Sequence, residues 1–352
     1  MSAGYFHETL AGAGTEFWVN NPSLSEIEMA LSAGAVGVAS NPNYINALLK
    51  TEPDFVPATV RDVLARCEDD DDERLAMQVI RKTVSRPLGI FHPKYEETGG
   101  RYGHVAIQGN PRRNDDPDAM LAEAEGFRAL GENIIIKQPA TVAGIQVLEE
   151  LTARGWSTIG TMSFSVDQYI AAAEAHRRGL RRTTKKPRCL ITMLPGMFDE
   201  YLAEDAARRG VTVSPEVLCQ AGITTARAAY KVSRERRYEA VILAGGARSS
   251  SHWTELVGDG MAITLSGALA KKLIDAKPPV VNRIEASAPQ DAIQELRDLF
   301  PDLVRACDVG TLAPEEFRSY GPVVRFQNSL LGGIGTIIKE IEAARAERSE
   351  KL

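Results

Sequence analysis

The chain has 352 residues, of which 44% are hydrophobic and 25% are charged. This composition is typical of a globular protein with enough apolar residues to bury a substantial core. The formal net charge of −6 argues against a protein that binds the phosphate backbone of nucleic acids, because such proteins usually carry an excess of basic residues.

Short apolar segments alternate with amphipathic helical segments along the chain. Eight strands are predicted, at residues 17–20, 36–40, 105–108, 133–137, 157–161, 189–193, 240–244 and 262–265. Strands that alternate with helices are typical of a parallel sheet, and eight of them predict that the sheet closes on itself. The sequence therefore predicts an α/β fold, a (β/α)8 TIM barrel.

Capping signals mark the starts of several helices between these strands. Ser23 and Glu26 have the spacing of a capping box ahead of an amphipathic segment. Asp116 is predicted to cap a later helix with Pro117 in its first position, and Thr141 is predicted to cap the next one. These signals support the alternation of strands and helices.

Residues 46–103 separate the second and third predicted strands and contain only weak strand signals. They include the acidic run at 68–73, which we expect at a solvated helix end or loop. We therefore predict a helical insertion at about 46–103, after the second strand.

The C-terminal part is expected to add extra helices to the barrel. One helical face of residues 328–351 carries four isoleucines, namely Ile334, Ile337, Ile338 and Ile341. This pattern predicts a helix that packs across the barrel. We expect one domain over residues 1–352, with a C-terminal helical extension at about 285–352.

The cysteines and histidines do not show the pattern of a metal site or a disulfide framework. The four cysteines lie far apart without a C-x-x-C pair, and the five histidines contain no H-x-x-x-H pair. We therefore expect reduced cysteines, no metal and no cofactor.

The chain also lacks targeting and membrane signals. Its N-terminal stretch does not resemble a signal peptide, and no apolar run approaches the length of a membrane span. The cytoplasm is therefore the expected compartment, with neither a membrane nor a nucleic acid as a partner. The sequence leaves open whether the chain forms a homo-oligomer.

The stretch NIIIKQPAT places Lys137 directly after three isoleucines and before a polar turn with a proline. Such a run of β-branched residues indicates a strand buried on both faces, where a charged side chain is unusual. In a parallel barrel the carboxyl ends of the strands carry the chemistry, because the loops converge there. Lys137 is therefore a candidate functional residue; the alternative is a lysine whose ammonium group reaches solvent from the strand end.

Other polar residues occupy corresponding positions on the remaining strands. Asn20, Gln108 and Thr161 end their predicted strands. Asn41 follows the second strand by one residue, and Arg248 lies in the loop after the seventh. We expect these side chains to meet Lys137 at one mouth of the barrel.

Four segments, in this order along residues 15–275, resemble the transaldolase family of class I, Schiff-base-forming aldolases, including its fructose-6-phosphate aldolase branch. They are EFWVNNPSLSEIEMALSAGAVGVASNPNYI, NIIIKQPATVAGIQVLEELTARG, STIGTMSFSVDQ and GITTARAAYKVSRERRYEAVILAGGARSS. The first resembles the family's opening strand, helix and Asn-Pro turn. The second resembles its lysine-bearing strand and the helix that follows.

The resemblance implies that Lys137 is the nucleophile that forms a Schiff base with a ketone. A primary amine attacks a carbonyl only when it is neutral, and an apolar barrel lowers the pKa of a lysine by disfavouring its charged form. The iminium would accept the electrons of the breaking carbon–carbon bond. An enamine would remain, which can add to a second aldehyde.

The resemblance also implies roles for two further strand-end residues. Asn41 matches the asparagine of the family's Asn-Pro turn, which hydrogen-bonds a substrate hydroxyl. Thr161 matches the threonine that helps to place a catalytic water. From the residues alone, a turn-forming asparagine and a strand-capping threonine are the simpler interpretations.

Arg248 falls where the family has a phosphate-binding arginine. The surrounding GGARSSSH, which includes Gly246 and Ser249, supplies small residues, hydroxyls and backbone N–H groups suited to an anion. The resemblance thus implies a sugar or sugar-phosphate substrate. A Gly-Ser-rich turn with one arginine is otherwise usually a solvated loop.

The chain departs from the family pattern at several positions. Asn20 stands where the family has an aspartate that moves a proton to and from a substrate hydroxyl, which an amide cannot do. Gln108 is a glutamate in the longer transaldolases and a glutamine, which positions water, in the fructose-6-phosphate aldolase branch. Leu194 and Met197 replace an aromatic residue and an arginine, so the implied anion site lacks one cation.

Three other residues are candidates for the missing groups. Arg101 or His252 could supply the cationic contact, unless the substrate has no phosphate at that end. His104 is on the inward face of the third strand but about 13 Å below Gln108 at the usual strand rise. A satisfied interior histidine is therefore the simpler interpretation.

Three functions remain open on the sequence. The first is a transaldolase-like aldolase that forms or cleaves a carbon–carbon bond of a ketose or sugar phosphate, with an altered proton relay around Asn20. The second is a Schiff-base enzyme with a reassigned reaction on a carbonyl substrate, and the third is a non-catalytic sugar-phosphate-binding barrel. The retained lysine motif argues against the third, because burying an amine carries a desolvation cost.

Overall fold

Eight parallel strands form a closed barrel in the order β1 to β8. The computed structural model describes residues 4–67 and 71–349. The strands are β1 (Glu16–Asn20), β2 (Gly37–Ala39), β3 (His104–Gln108), β4 (Ile134–Pro139), β5 (Thr158–Thr161), β6 (Cys189–Met193), β7 (Val241–Ala244) and β8 (Met261–Leu265). The eight predicted strands are confirmed, with ends that differ by at most two residues.

Helices connect the strands and extend the barrel at two places. In chain order they are α1 (Tyr5–Ala13), α2 (Leu24–Ala33), α3 (Tyr44–Thr51), α4 (Phe55–Arg66), α5 (Asp72–Glu97), α6 (Pro117–Arg128), α7 (Val142–Ala153), α8 (Val166–Leu180), α9 (Pro195–Arg209), α10 (Pro215–Arg236), α11 (Ser251–Thr254), α12 (Gly267–Ala276), α13 (Gln290–Leu299), α14 (Pro301–Cys307) and α15 (Gly321–Ser349). Two 3-10 helices lie at Pro111–Arg113 and Pro314–Glu316. The predicted (β/α)8 TIM barrel is thus confirmed, with α3 to α5 inserted after β2 and α13 to α15 added at the end. The single-domain organisation stays a prediction.

The predicted capping signals begin the helices as expected. Ser23 and Glu26 form a capping box at the start of α2, and Thr141 accepts a hydrogen bond from the Gly144 N–H at the start of α7. In the acidic run, Asp71 caps α5, whereas residues 68–70 lie outside the described part of the chain. None of the helices in the described ranges is both long and apolar enough to cross a membrane.

The alternation of side chains between the two faces of each strand decides which of them reach the mouth of the barrel. A cluster of apolar residues, including Trp18, Ala106, Ile135 and Ile159, fills the barrel interior. Because side chains alternate along a strand, the residues two positions further on face inward at the C-terminal end. These are Asn20, Gln108, Lys137 and Thr161, so the barrel itself brings the predicted strand-end residues together.

One glycine makes room for the large indole of this core. A Cβ on Gly37 of β2 would lie 2.7 Å from Trp18 ring atoms, closer than packed atoms approach. Trp18 is fully buried, and its indole nitrogen donates to the Glu16 carboxylate at 3.1 Å. A side chain at position 37 would therefore displace the ring beneath the mouth.

Charged residues close the N-terminal end of the barrel. The carboxylate of Glu16 pairs with the guanidinium of Arg188, and both side chains are largely buried. The ring of His104 also lies at this end, where its Nε2 contacts the Gly100 carbonyl at 2.9 Å. Burial, aided by the nearby Arg188, lowers the pKa of His104 to about 4. The histidine is thus a neutral interior residue. Arg101 is also at this end, so its proposed contact with an anion at the mouth is wrong.

Breaking the ion pair at this end is expected to destabilise the barrel. Glu16→Gln should lower the free energy of unfolding by about 3–5 kcal/mol, because Arg188 would stay buried without its counter-charge. Urea unfolding at pH 7 measures the change. As a control, Asp275→Asn removes an exposed pair with Lys271 and should change the free energy by less than about 1 kcal/mol. A similarly small effect of Glu16→Gln would contradict the expectation.

The last helix, α15, crosses the C-terminal mouth of the barrel between the inserted helices and α9. Its residues Ile334, Ile337 and Ile341 are buried, and Ile338 is partly buried, as the helical pattern predicted. Gly333 permits a close approach, since a Cβ there would lie 2.7 Å from the carbonyl carbon of Pro42. The helix therefore forms part of the wall above the strand ends.

Candidate active site

A cavity of about 160 Å³ lies at the C-terminal ends of the strands. Six of the eight predicted site residues line it: Asn20, Asn41, Lys137, Thr161, Gly246 and Arg248. The other two, Gln108 and Ser249, do not line it. Within the described residues, the lining contains amides, hydroxyls and apolar groups but no carboxylate.

Lys137 contributes an amine to the lining of this cavity. It follows the three isoleucines of β4, and its residue is only 7% exposed. Burial lowers the pKa of Lys137 from its ordinary value of 10.5 to about 8. In residues 4–67 and 71–349 it forms no ion pair that would hold the charge. About one lysine in ten is then neutral at pH 7, against roughly one in 3,000 at the ordinary pKa.

Asparagines of the β1 and β2 loops form a hydrogen-bonded group beside the amine. Asn21 has a left-handed backbone with φ of 47°, and its Nδ2 donates to Asn41 Oδ1 at 3.3 Å. The N–H of Asn43 donates to the same oxygen at 3.0 Å. Both contacts engage the amide oxygen of Asn41, which leaves its Nδ2 as a donor for a ligand.

Gln108 lies on the strand next to the lysine and, with Lys137, lines a separate and smaller cavity. It is directly opposite Lys137 in the β3–β4 register and is 3% exposed. Neither atom of its amide has a protein partner among the described residues. An unpaired buried polar group costs about 1–3 kcal/mol, so this amide is suited to a polar ligand or water.

Several lining residues were not identified from the sequence. Thr192 and Thr264 face the cavity from β6 and β8, and strand parity could have indicated both. Phe326 and Ser329 come from α15, and Ser329 Oγ accepts from Asn43 Nδ2 at 3.0 Å. No sequence signal shows which face of a distant helix covers the mouth.

The guanidinium of Arg248 contacts one carboxylate and one backbone carbonyl at the rim. Its Nε is 2.6 Å from Glu200 Oε1, and its Nη1 donates to the Gly246 carbonyl at 3.3 Å. The second oxygen of Glu200 is 3.2 Å from Nη2 of Arg325 on α15. Ser249 points away from the cavity, with its hydroxyl 3.7 Å from Cys219 Sγ.

His252 positions the loop that carries Arg248. Its Nδ1 accepts from the Arg248 N–H at 3.0 Å, and its Nε2 is 2.8 Å from Asp199 Oδ2. Since Nδ1 uses its lone pair, the proton lies on Nε2 and is donated to the carboxylate. Asp199, Cys219 and His252 place ligand-type atoms within 4.8 Å of one another, but an Nε2–H does not suit a metal ion. His252 does not line the cavity, so it does not supply the missing contact to an anion.

The sequence is similar to a known family and to named relatives. Residues 17–306 match the family described as Transaldolase/Fructose-6-phosphate aldolase. A Streptomyces avermitilis protein named Transaldolase 1 is 27% identical over 268 residues, covering 70% of this chain and 69% of the relative. A Saccharopolyspora erythraea transaldolase is 28% identical over 262 residues, 70% of each chain. An Acidothermus cellulolyticus transaldolase is 24% identical over 377 aligned positions, covering 96% of this chain and 98% of the relative.

Proposed function

The chain belongs to the transaldolase/fructose-6-phosphate aldolase family, and we propose that its Lys137 forms a Schiff base with the carbonyl of a ketose or sugar phosphate. The protein is a transaldolase- or aldolase-like enzyme. One observation carries the proposal of Lys137 as nucleophile. It is a buried amine with a pKa lowered to about 8, in a cavity of amides and hydroxyls at the C-terminal end of a parallel barrel.

The reaction begins with attack of the neutral amine on the ketone. The carbinolamine loses water to give an iminium, which accepts the electron pair of the adjacent carbon–carbon bond as that bond breaks. The aldehyde fragment leaves, and the enamine on Lys137 then adds to a second aldehyde or takes up a proton. Hydrolysis of the new iminium releases the product and restores the amine.

The surrounding side chains bind the substrate and water. Asn41 Nδ2 donates to a substrate hydroxyl, and Gln108 and Thr161 hold the water that enters and leaves at the iminium carbon. Asn20 contacts the hydroxyl whose proton must leave during bond cleavage. Because it cannot take that proton, water in the cavity carries it. Arg248 and Gly246, which line the cavity, are the proposed contacts at the far end of the substrate, whereas Ser249 does not line the cavity.

A second candidate is a Schiff-base enzyme with a reassigned step, such as dehydration of the bound carbonyl compound. The observation that favours it is the lack of a lining carboxylate in the described residues. The lysine of the first candidate is retained, so both predict the same covalent adduct. They differ in product, because only an aldolase releases an aldehyde fragment.

Borohydride trapping tests the proposal. The protein is incubated with free and phosphorylated ketoses in the presence of borohydride, and peptide mapping locates any mass adduct. We expect an adduct confined to Lys137, and an aldehyde fragment without borohydride if the aldolase candidate is right. Adducts spread over exposed lysines, or none, would refute the Schiff-base mechanism.

The rate of adduct formation should depend on pH through the Lys137 amine. Because burial lowers its pKa to about 8, the rate should rise as the pH is raised towards 8 and level off above it. Trapping with cyanoborohydride between pH 6 and 10 measures the profile, with circular dichroism at each pH to verify folding. A midpoint near 10.5 would show that the amine titrates as an exposed lysine.

A further inference from the structure

We propose that Arg325, on α15, binds the phosphate of a phosphorylated substrate together with Arg248, and that the phosphate takes the place of the Glu200 carboxylate between the two guanidinium groups. This inference rests on the Schiff-base function proposed above and adds a specificity-determining residue to it. The C-terminal helix then contributes a substrate contact as well as a wall of the site.

The carboxylate of Glu200 shows that an oxyanion fits between the two arginines. Its Oε1 is 2.6 Å from Arg248 Nε, and its Oε2 is 3.2 Å from Arg325 Nη2. Guanidinium groups bind the oxygens of carboxylates and of phosphates with the same planar geometry. A phosphate carries three acceptor oxygens and a charge of about −2, so it gains more than a carboxylate from the same pair of cations.

The helix α15 brings Arg325 to the end of the cavity where Arg248 lies. Phe326, the next residue of the helix, lines the cavity together with Arg248. Arg325 itself does not line the cavity, and the carboxylate of Glu200 bridges its guanidinium and that of Arg248. Movement of this carboxylate would therefore give a ligand beside Arg248 access to Arg325.

Glu200 can be displaced at a small cost. Its side chain is 39% exposed, and ion pairs at such exposed positions contribute little to stability because water replaces the lost contact. Glu204 keeps the guanidinium of Arg325 in place, since its two oxygens accept from Nε at 2.8 Å and from Nη2 at 2.7 Å. Arg325 is thus held in position independently of Glu200.

Donors for a phosphate are available on both sides of this gap. In the described part of the chain, Nη2 of Arg248 and Nη1 of Arg325 have no hydrogen-bond partner. Within residues 4–67 and 71–349, the backbone N–H groups of Ala247, Ser249 and Ser250 also have no acceptor. Free N–H groups of a loop beside guanidinium groups suit a phosphate.

Two arginines provide a matched pair of variants for the test. Arg325→Gln removes the proposed cation, whereas Arg318→Gln removes a cation that pairs with Asp115 in the loop after β3 and has no contact with Glu200. Trapping efficiency at Lys137 is measured with fructose 6-phosphate and with fructose. The ratio of the two values is compared with the wild-type ratio, because the sugars differ in their open-chain fractions.

We expect Arg325→Gln to lower this ratio by about 10- to 150-fold, the equivalent of a hydrogen bond to a charged group. Arg318→Gln should leave the ratio within about twofold of the wild type. Glu200→Gln should raise the ratio, because an amide competes less well than a carboxylate for the two arginines. An unchanged ratio in Arg325→Gln, or a lower ratio in Glu200→Gln, would overturn the inference.

Calorimetry with inorganic phosphate gives a readout that does not depend on Lys137. We expect the affinity for phosphate to increase in Glu200→Gln and to fall in Arg325→Gln, with Arg318→Gln equal to the wild type. Equal affinities of Glu200→Gln and of the double variant Glu200→Gln, Arg325→Gln would overturn the inference even if a sugar traps Lys137. Conversely, a failure of every sugar to trap Lys137 would refute the proposed function, whereas the calorimetry would still decide whether Arg325 binds phosphate.

Discussion

Lys137→Met is expected to abolish both turnover and the borohydride-trapped adduct while leaving a folded barrel. Among the described residues that line the cavity, Lys137 alone carries an amine that can form an iminium, and methionine keeps a similar length without a nucleophile. Mass spectrometry after trapping and an assay for aldehyde release measure the two losses. Lys271→Met, which changes an exposed lysine on α12, is the control and should retain both activities.

The same variant should be more stable than the wild type at neutral pH. Burial lowers the pKa of Lys137 from 10.5 to about 8, so below pH 8 the folded protein carries a buried charge at a cost of about 3 kcal/mol. Between pH 8 and 10.5 the folded protein has lost the proton of Lys137, whereas the unfolded chain still holds it. The stability of the wild type therefore increases over this range. The difference in unfolding free energy between variant and wild type should therefore be about 3 kcal/mol larger at pH 7 than above pH 10.5.

Urea unfolding at pH 7 and at pH 10.5 measures this difference. A Lys137→Met protein with unchanged stability at both values would indicate that the amine is hydrated and not held in an apolar site. Retention of near-normal aldehyde release by the variant would contradict the Schiff-base mechanism itself.

Asn20→Asp is expected to raise the rate of carbon–carbon bond cleavage if the protein is an aldolase that lacks its proton relay. A carboxylate at the inward end of β1 can take the proton of the substrate hydroxyl as the bond breaks. Such general acid–base catalysis typically contributes about 10²–10⁴-fold. Release of aldehyde from a ketose that traps Lys137, measured at saturating substrate, gives the size of the effect.

Asn21→Asp is the matched control for this variant. It also introduces a carboxylate at the cavity, but on a residue whose amide is bonded to Asn41 and whose backbone has left the strand. It should not raise cleavage. If Asn20→Asp forms the adduct normally but releases no more aldehyde than the wild type, an aldolase limited by its missing proton relay is refuted. A reassigned Schiff-base step, which the new charge should impair, would then be favoured.

The sequence by itself determined the barrel and the position of the amine. The short apolar segments and the helical period between them located all eight strands to within two residues. Their positions at the ends of the predicted strands then predicted that Lys137, Asn20 and Thr161 meet at one mouth of the barrel. Local patterns suffice for these features, because all strands of a parallel barrel run in one direction and the active site lies at their C-terminal ends.

The tertiary structure decided which groups surround the amine and which of them are available. Arg248 matches a phosphate-binding position in the sequence, but its partner Glu200 lies 48 residues away along the chain. Ser329 meets Asn43 across 286 residues through a helix whose pattern predicted packing across the barrel but not at which end. Hydrogen-bond partners are chosen by the distances that packing creates between remote segments. Local periodicity therefore predicts where a side chain points, whereas its availability to a substrate depends on contacts that only the folded chain brings together.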